Sequence, residues 1–344
     1  MRIGVLTAGG DCPGLNAVIR AVARSAIDGG DEAVGIMRGF KGLADRDYMP
    51  LDMRTVSGIL PLGGTILRTS SFEPVREQAI EQLRTAIAED GLDAVIAIGG
   101  EHTMWMTREL HEAHGMPLIG VPKTIDNDIV GTDYTFGFDT AVHVVSEAID
   151  RLHTTAQSHD RVMVVEVMGR NTGWIALHGG IAGGADAIVI PEVPTTPEEI
   201  AEAITRRHER GKDFSIVVVA EGARIKFAGS DTHEVMSSDE TDEYGYERLG
   251  GVGPALAFEL ETLTGYEART VTLGHIQRGG TPTAHDRVLA TRYGAKAYEM
   301  ARDREFGRMA ALKGDEISSV PLSEVEGLKT VDLRLLEIAR RFFS

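Results

Sequence analysis

Two aspartates two residues apart, Asp126 and Asp128, flank an asparagine in the segment GVPKTIDNDIVGTD. They follow a short apolar run, so both can point into one cleft at the end of a strand. One carboxylate can take a proton from an attacking hydroxyl while the other serves a metal, a division of labour that phosphoryl transfer requires. Lys123, just upstream, supplies positive charge for a phosphoryl group in transfer. By itself the DND triplet also fits a turn of the Asx kind. A second segment, IAIGGEHTMWM, sets Glu101, His102 and Thr103 directly after Gly99 and Gly100. Glycines there let the backbone approach an anion, and a helix beginning at that point offers free N–H groups. A carboxylate beside such a cradle calls for a divalent cation between them, which makes Glu101 a candidate Mg²⁺ ligand. The alternative is a solvent-facing glutamate stabilised by the helix dipole. The segment LTAGGDCPGLNAVIR repeats the device with Gly9 and Gly10. Three clusters of complementary chemistry, each at a strand end, favour phosphoryl transfer over three unrelated turns.

The elements that must position these clusters are legible from periodicity. RIGVLT, DAVIAIG, PLIGVP, VMVVEV, DAIVIP, FSIVVVAEG and RTVTLG are short and rich in β-branched residues, which reads as buried parallel strands. GLNAVIRAVARSAI, HVVSEAIDRLHTTAQ and TPEEIAEAITRRHERG have helical period, the last opened by Thr196, Pro197, Glu198 and Glu199 as a capping box with proline at the first helical position. Strands alternating with helices predict α/β layers with ligands at the carboxyl ends of the strands. The acidic stretch from Gly229 to Glu247 lacks periodicity and reads as a loop or lid.

Composition narrows the ligands. The 344 residues suffice for two domains with ordinary cores, and a formal charge of −17 disfavours nucleic acid and anionic membrane as partners. Any anion must therefore meet a local basic pocket. No apolar run approaches the ~20 residues that span a bilayer, and MRIGVLTAGG lacks the pattern of a secretory signal. The single cysteine, Cys12, excludes an internal disulfide framework and reads as a small residue packed in a turn. A cytoplasmic location is the expectation.

GGD, PKTIDND, VVEVMGR, VAEGA and LGHIQRGG occur in the order found in the phosphofructokinase family, spread from Gly9 to Gly280. The chain resembles that family over essentially its whole length, within an actinobacterial-type branch that contains both ATP and pyrophosphate users. The resemblance implies two Rossmann-like three-layer α/β/α domains with the active site in the cleft between them. Residues 1–137 and 276–320 would form the phosphoryl-donor domain, 138–275 and 321–344 the sugar-phosphate domain. It implies Asp126 as the base that deprotonates the sugar 1-hydroxyl, Asp128 serving metal and transition state, Thr124 touching the transferring group, and Arg170 as the cation that stabilises that group. Met168 and Gly169 would line the sugar and Glu221 would accept its hydroxyl protons. His275 and Arg278 would clamp the 6-phosphate, joined by Arg161 and Arg269 from a neighbouring subunit. The enzyme would then be a homo-oligomer, dimer or tetramer, with shared active sites.

On the donor side the resemblance assigns Gly10, Gly100, Glu101, His102 and Thr103, with Arg68, Ser71 and Phe72 of GGTILRTSSFEP, and places Phe40 and Arg76 near positions that meet adenine in ATP users. His102 stands where the family has glycine in ATP users or aspartate in pyrophosphate users. Arginine and glycine in the family's pattern give way to Ser71 and Arg68. Lys123 does not discriminate between donors. A side chain at 102 fills room a nucleotide needs, and a protonated imidazole suits compact pyrophosphate, so the expectation favours pyrophosphate narrowly over ATP. Arg20 and Arg24 match part of a nucleotide-effector site, but His153 replaces an arginine there and effector control is not expected. Fructose 6-phosphate is the expected acceptor and Mg²⁺ the cofactor. Alternatives are another sugar phosphate such as sedoheptulose 7-phosphate, or a weakly active sugar-phosphate-binding regulator, which Asp126 and Asp128 argue against. Lipid and NAD kinases share a glycine-glycine-acid turn but not PKTIDND or GHIQRGG.

Overall fold

The structure, a computed structural model, describes residues 1–227, 229, 237–241 and 247–343. The chain divides into two compact units, Met1–Thr140 with Arg278–Leu328 and Ala141–Gln277 with Lys329–Ser344. In chain order the first unit opens with β1 (Arg2–Thr7), α1 (Leu15–Asp28), β2 (Glu32–Ile36), α2 (Phe40–Asp45), β3 (Tyr48–Pro50), α3 (Ile80–Glu89), β4 (Ala94–Gly99), α4 (Glu101–His114), β5 (Leu118–Thr124) and β6 (Phe136–Gly137). There follow α5 (Phe138–Ser158), β7 (Val162–Val167), α6 (Trp174–Ala182), β8 (Ala187–Val189), α7 (Pro197–Glu209), β9 (Ser215–Ala220), β10 (Ser237–Thr241), β11 (Glu247–Leu249), α8 (Val252–Thr264) and β12 (Ala268–Thr272). The chain then re-enters the first unit with α9 (Ala284–Arg302), β13 (Arg308–Lys313) and β14 (Glu316–Pro321), and ends in the second with α10 (Leu333–Arg340).

In the first unit the strand order is β14-β13-β5-β4-β1-β2-β3, parallel throughout except at the two edges, with β6 paired to β5. Leu6, Val34, Ile36, Val95, Ala97 and Leu118 turn one sheet face onto Leu43 of α2, Leu83 and Ile87 of α3, and Met106 and Leu110 of α4. The alternate residues Ile3, Val5, Ile96 and Ile98 are fully buried as well, which a strand shows when both faces are covered. Each such side chain contributes roughly 1.5–3 kcal/mol by leaving water. On that second face α1 and α9 pack together, closely enough that a Cβ on Gly294 would stand 2.6 Å from the Val18 carbonyl oxygen. The second unit holds an all-parallel sheet ordered β12-β7-β9-β8. Val162, Val164, Val217 and Val219 pack on Ile200 and Ile204 of α7 and Leu256 and Leu260 of α8. On its other face Ile188 of β8 meets Gly180 of α6, and Gly179 of the same helix meets Val145 of α5.

The expected strands and helices form, and the Thr196 capping box closes with both hydrogen bonds present. Three expectations need correction. RTVTLG is not fully buried: in the edge strand β12 Ala268 is buried, Thr270 and Val271 are half-buried, and Arg269 and Thr272 are exposed. Residues 321–328 belong to the first unit, since Leu322 and Val325 are buried with Met104, Ile129 and Met309. Within the stretch read as a loop or lid, β10 and β11 pair antiparallel; residues 228, 230–236 and 242–246 of that region lie outside the described residues. Among the described residues no helix is long and apolar enough to cross a membrane.

Candidate active site

In the first unit the turns after β1, β4 and β5 converge on Lys123. This residue, next to last in β5, has only 4% of its surface exposed, and its ammonium donates to the Gly10 carbonyl. Burial holds the Lys123 pKa below its ordinary value, with Arg278 acting in the same direction and Asp11 and Asp126 opposing it. A Cβ on Gly9 would stand 3.6 Å from Lys123 Nζ and 3.9 Å from Thr103 Oγ1. One on Gly10 would overlap the Arg278 guanidinium, and one on Gly63 the Gly280 carbonyl. At Gly10 and Gly63 no side chain fits without displacing a neighbour, and Gly9, at φ 75°, has a backbone that side-chain-bearing residues avoid. The α4 helix starts at Glu101, with Gly100 extended as its cap and Glu101 exposed. Thr103, one turn in, is buried against Gly99. Cys12 is a packed residue, as expected: its thiol is buried, points to the Phe136 carbonyl at 3.6 Å and has its pKa pushed up by burial.

Asn127 organises the aspartates. Its backbone is left-handed (φ 50°), a conformation asparagine tolerates better than most residues. Its buried side-chain oxygen accepts from Thr135 N at 3.0 Å. From Ile125 to Ile129 burial alternates, with Ile125, Asn127 and Ile129 inward and Asp126 and Asp128 half-exposed. Both aspartates stay half-exposed on either side of Asn127, next to Lys123 and Thr124, whose Oγ1 accepts from Asp126 N at 3.0 Å. Sequence reasoning counted Asn127 only as a spacer; its middle place in a strand-end DND was the available signal.

Arg68, Ser71 and Phe72 lie in irregular chain. Arg68 has a left-handed backbone, and its carbonyl accepts from Thr7 Oγ1 at 2.7 Å. Thr69 Oγ1 donates to the Gly9 carbonyl at 2.7 Å, fastening this segment to the β1 turn. Phe72 packs partly buried on the core, with Lys41 Nζ 5.9 Å from its ring centroid. Phe40 requires correction. It is 2% exposed inside the same core, so no face of its ring is open to an adenine; Arg76 is exposed. His102 stacks on Trp105, ring centroids 5.3 Å apart, and its Nε2 stands 3.6 Å from Glu73 Oε2. Arg20 and Arg24 line a separate pocket with Met53, Val56, Ser57 and Gly58. His153 is engaged elsewhere, with Nε2 2.8 Å from the Gly183 carbonyl oxygen.

In the second unit Met168, Gly169 and Arg170 follow β7, and Glu221 follows β9. Glu221 N donates to the Val167 carbonyl at 2.8 Å and Gly222 N to the Gly169 carbonyl at 3.1 Å, so the two strand ends stay paired through the turn. Gly169, at φ 139°, adopts a backbone that side-chain-bearing residues avoid, and a Cβ there would stand 2.6 Å from the Thr172 carbonyl oxygen. Gln277, fully buried and missed from sequence, accepts from Met168 N at 3.3 Å and donates to the Gly274 carbonyl at 3.0 Å. His275, in the short helical turn Gly274–Arg278, is exposed, while Arg278 lies against Gly10 in the first unit.

Arg161 and Arg269 are at the opposite end of the same sheet. Arg161 precedes β7 and Met168 follows it, a span of seven residues that corresponds to about 23 Å of extended chain. They cannot reach the sugar that Met168 and Gly169 of their own chain would line.

These turns, at the positions and in the order of one known family, decide the relationship. The chain belongs to the phosphofructokinase family. The family's model, described as Phosphofructokinase, matches residues 2–301. An ATP-dependent 6-phosphofructokinase 3 of Streptomyces coelicolor is 55% identical over 343 residues, 98% of each chain. A pyrophosphate–fructose 6-phosphate 1-phosphotransferase of Amycolatopsis methanolica is 53% identical over 347 residues, the whole of both chains. Among solved structures, the T-state phosphofructokinase of Pichia pastoris is similar with a TM-score of 0.81 at 31% identity, over 94% of this chain and 35% of that one. A pyrophosphate-dependent phosphofructokinase of Nitrosospira multiformis shares the fold at a TM-score of 0.84 and 19% identity, over 100% of this chain and 91% of that one.

Mg²⁺ fits the residues present in this phosphofructokinase. Among the described residues no group of three or more histidines, cysteines or carboxylates forms a cage. The candidate donors are carboxylates, exposed in Glu101 and half-exposed in Asp128. One or two carboxylates completed by phosphate oxygens and water is the arrangement Mg²⁺ prefers.

Proposed function

We propose that the protein transfers a phosphoryl group from ATP or pyrophosphate to the 1-hydroxyl of fructose 6-phosphate, giving fructose 1,6-bisphosphate. The observation that carries this is the buried Lys123 ammonium at the Gly9–Gly10 turn, with Asp126 and Asp128 half-exposed three and five residues further on. Asp126 takes the proton of the attacking hydroxyl as the new O–P bond forms and the donor's bridging P–O bond breaks, releasing ADP or inorganic phosphate. Lys123, Thr124 and Arg170 meet the charge on the group in transfer. Gly10, Gly100 and Thr103 hold the donor phosphates, with Arg68, Ser71 and Phe72 flanking them. Glu101 and Asp128 are the carboxylates that would hold Mg²⁺, which when bound neutralises charge on the donor. Met168, Gly169 and Glu221 receive the sugar, and His275 and Arg278 its 6-phosphate.

Arg161 and Arg269 complete the 6-phosphate site of a second copy, because their place at the amino ends of β7 and β12 puts them out of reach of their own chain's sugar residues. The functional assembly is a homo-oligomer. His102, with its ring engaged by Trp105 and Glu73, gives no steric ground for preferring pyrophosphate, so both donors stand. The relatives' names divide the same way, ATP in one and pyrophosphate in the other.

The test is one assay of purified protein with fructose 6-phosphate or sedoheptulose 7-phosphate, each with ATP or pyrophosphate, and the product identified by mass. A bisphosphate from fructose 6-phosphate with at least one donor is expected. Turnover of sedoheptulose 7-phosphate alone would overturn the acceptor, and turnover of neither sugar would overturn the activity.

A further inference from the structure

Arg161 and Arg269 meet on one carboxylate. Arg161 Nε donates to Glu267 Oε2 at 2.8 Å, and Arg269 Nη2 donates to the other oxygen, Oε1. Strand register brings them together. Ala268 pairs with Val162 and Arg269 with Met163 in parallel strands, so Glu267 stands at the head of β12 beside Arg161 at the head of β7. Val162 N donates to the Glu267 carbonyl at 3.0 Å, which fixes that alignment. A second carboxylate, Glu261 of α8, accepts from Ala268 N at 2.9 Å and lies 3.8 Å from Arg269 Nη1. The two arginines hold the Glu267 pKa below the ordinary glutamate range, Arg161 chiefly. Two guanidiniums bound through two oxygens of one anion is the contact they would make with a phosphate.

We infer that Glu267 is an internal stand-in for the sugar 6-phosphate, competing with it for Arg161 and Arg269 and so setting how tightly fructose 6-phosphate binds in the neighbouring copy. This rests on the role of the two arginines given under Proposed function. A phosphate that takes the donors now on Glu267, Arg161 Nε and Arg269 Nη2, must displace that carboxylate, and apparent affinity falls by the fraction of chains in which they are released. The carboxylate charge also lies at the site a dianion would enter. Both effects weaken binding, whereas a carboxylate that merely aimed the guanidiniums would strengthen it, so the sign of the change on removal separates the two.

Glu267→Gln, assayed as the assembled enzyme at saturating donor, keeps the side chain's size and removes its charge. KM for fructose 6-phosphate should fall by roughly three- to tenfold, the scale of two exposed ion pairs, with kcat and donor KM within about twofold of wild type. Glu267→Asp, which retracts the carboxylate, should move KM in the same direction by less. In an Arg161→Ala background Glu267→Gln should have a smaller effect, because one competitor for the carboxylate is gone. Glu261→Gln should leave KM within about twofold, its carboxylate being committed to Ala268 N. An unchanged or raised KM in both Glu267 variants overturns the inference, as does an equal fall in Glu261→Gln, which would reduce the effect to general charge. If Arg161→Ala alone leaves KM unchanged, the arginine assignment fails and the inference with it. A fall in Glu267→Gln that persists undiminished without Arg161 rejects the competition while leaving that assignment in place.

Discussion

As the proposed base, Asp126 is separable from the residues proposed to bind the sugar. Asp126→Ser should depress kcat by at least ~10²-fold, the low end of general-base contributions, with KM for the sugar phosphate nearly unchanged; a variant turning over near the wild-type rate would take Asp126 out of the mechanism. His102 is the opposite case. Its ring leans on Trp105 and faces Glu73 across 3.6 Å, contacts worth at most about 1 kcal/mol at an exposed site. His102→Gly should therefore change KM for ATP or pyrophosphate by less than about fivefold. Measured donor kinetics showing a large gain with ATP and a loss with pyrophosphate would restore the steric reading. That Lys123, Asp126, Asp128, Glu101 and Glu221 stand at or just beyond strand ends was legible in sequence, because apolar runs stop at those polar clusters. Gln277 and Glu267 were not, since a buried glutamine or a surface glutamate acquires its role only from the backbone the fold sets opposite it. Phe40 was misread for the same reason: an aromatic beside a phosphate turn looks available until the core claims it.

Among the elements, α9 is tied to the start of α5 by a buried knot. Asp286 Oδ2 accepts from Thr140 N at 2.8 Å and from its hydroxyl at 2.5 Å, and Thr283 Oγ1 reaches Asp139 at 2.5 Å. Burial raises the Asp286 pKa against those hydrogen bonds. A carboxyl with a raised folded pKa contributes most to stability below its unfolded value, about 3.9, and loses that contribution as pH rises through the folded value. Wild type should thus melt above Asp286→Asn by a margin that narrows from pH ~4 towards neutrality; a margin that widens over the same range in thermal melts would refute the assignment. Strands with continuous β-branched runs were read correctly because burial on both faces demands them. β2 and β3, with five and three residues, and the antiparallel edge of β13 and β14 left no such run. Residues 321–328 were assigned to the wrong unit because their partners Met104, Ile129 and Met309 are distant in sequence.

At the scale of the whole molecule, if Arg161, at the opposite end of β7 from Met168, serves a second copy as proposed, two defective chains can repair one another. Mixing Arg161→Ala with Asp126→Ser chains should restore activity in hybrid oligomers, because some sites then draw every group from an intact position; hybrids shown to form yet no more active than either parent would exclude sharing. The same placement has a thermodynamic corollary. On the proposed sharing, a sugar phosphate gripped by residues of two chains is a cross-link as much as a substrate, and mass action then requires it to favour the assembled state over the dissociated one. Sedimentation at low protein concentration should show fructose 6-phosphate driving dissociated chains together, and specific activity should fall on dilution most steeply when the sugar is scarce.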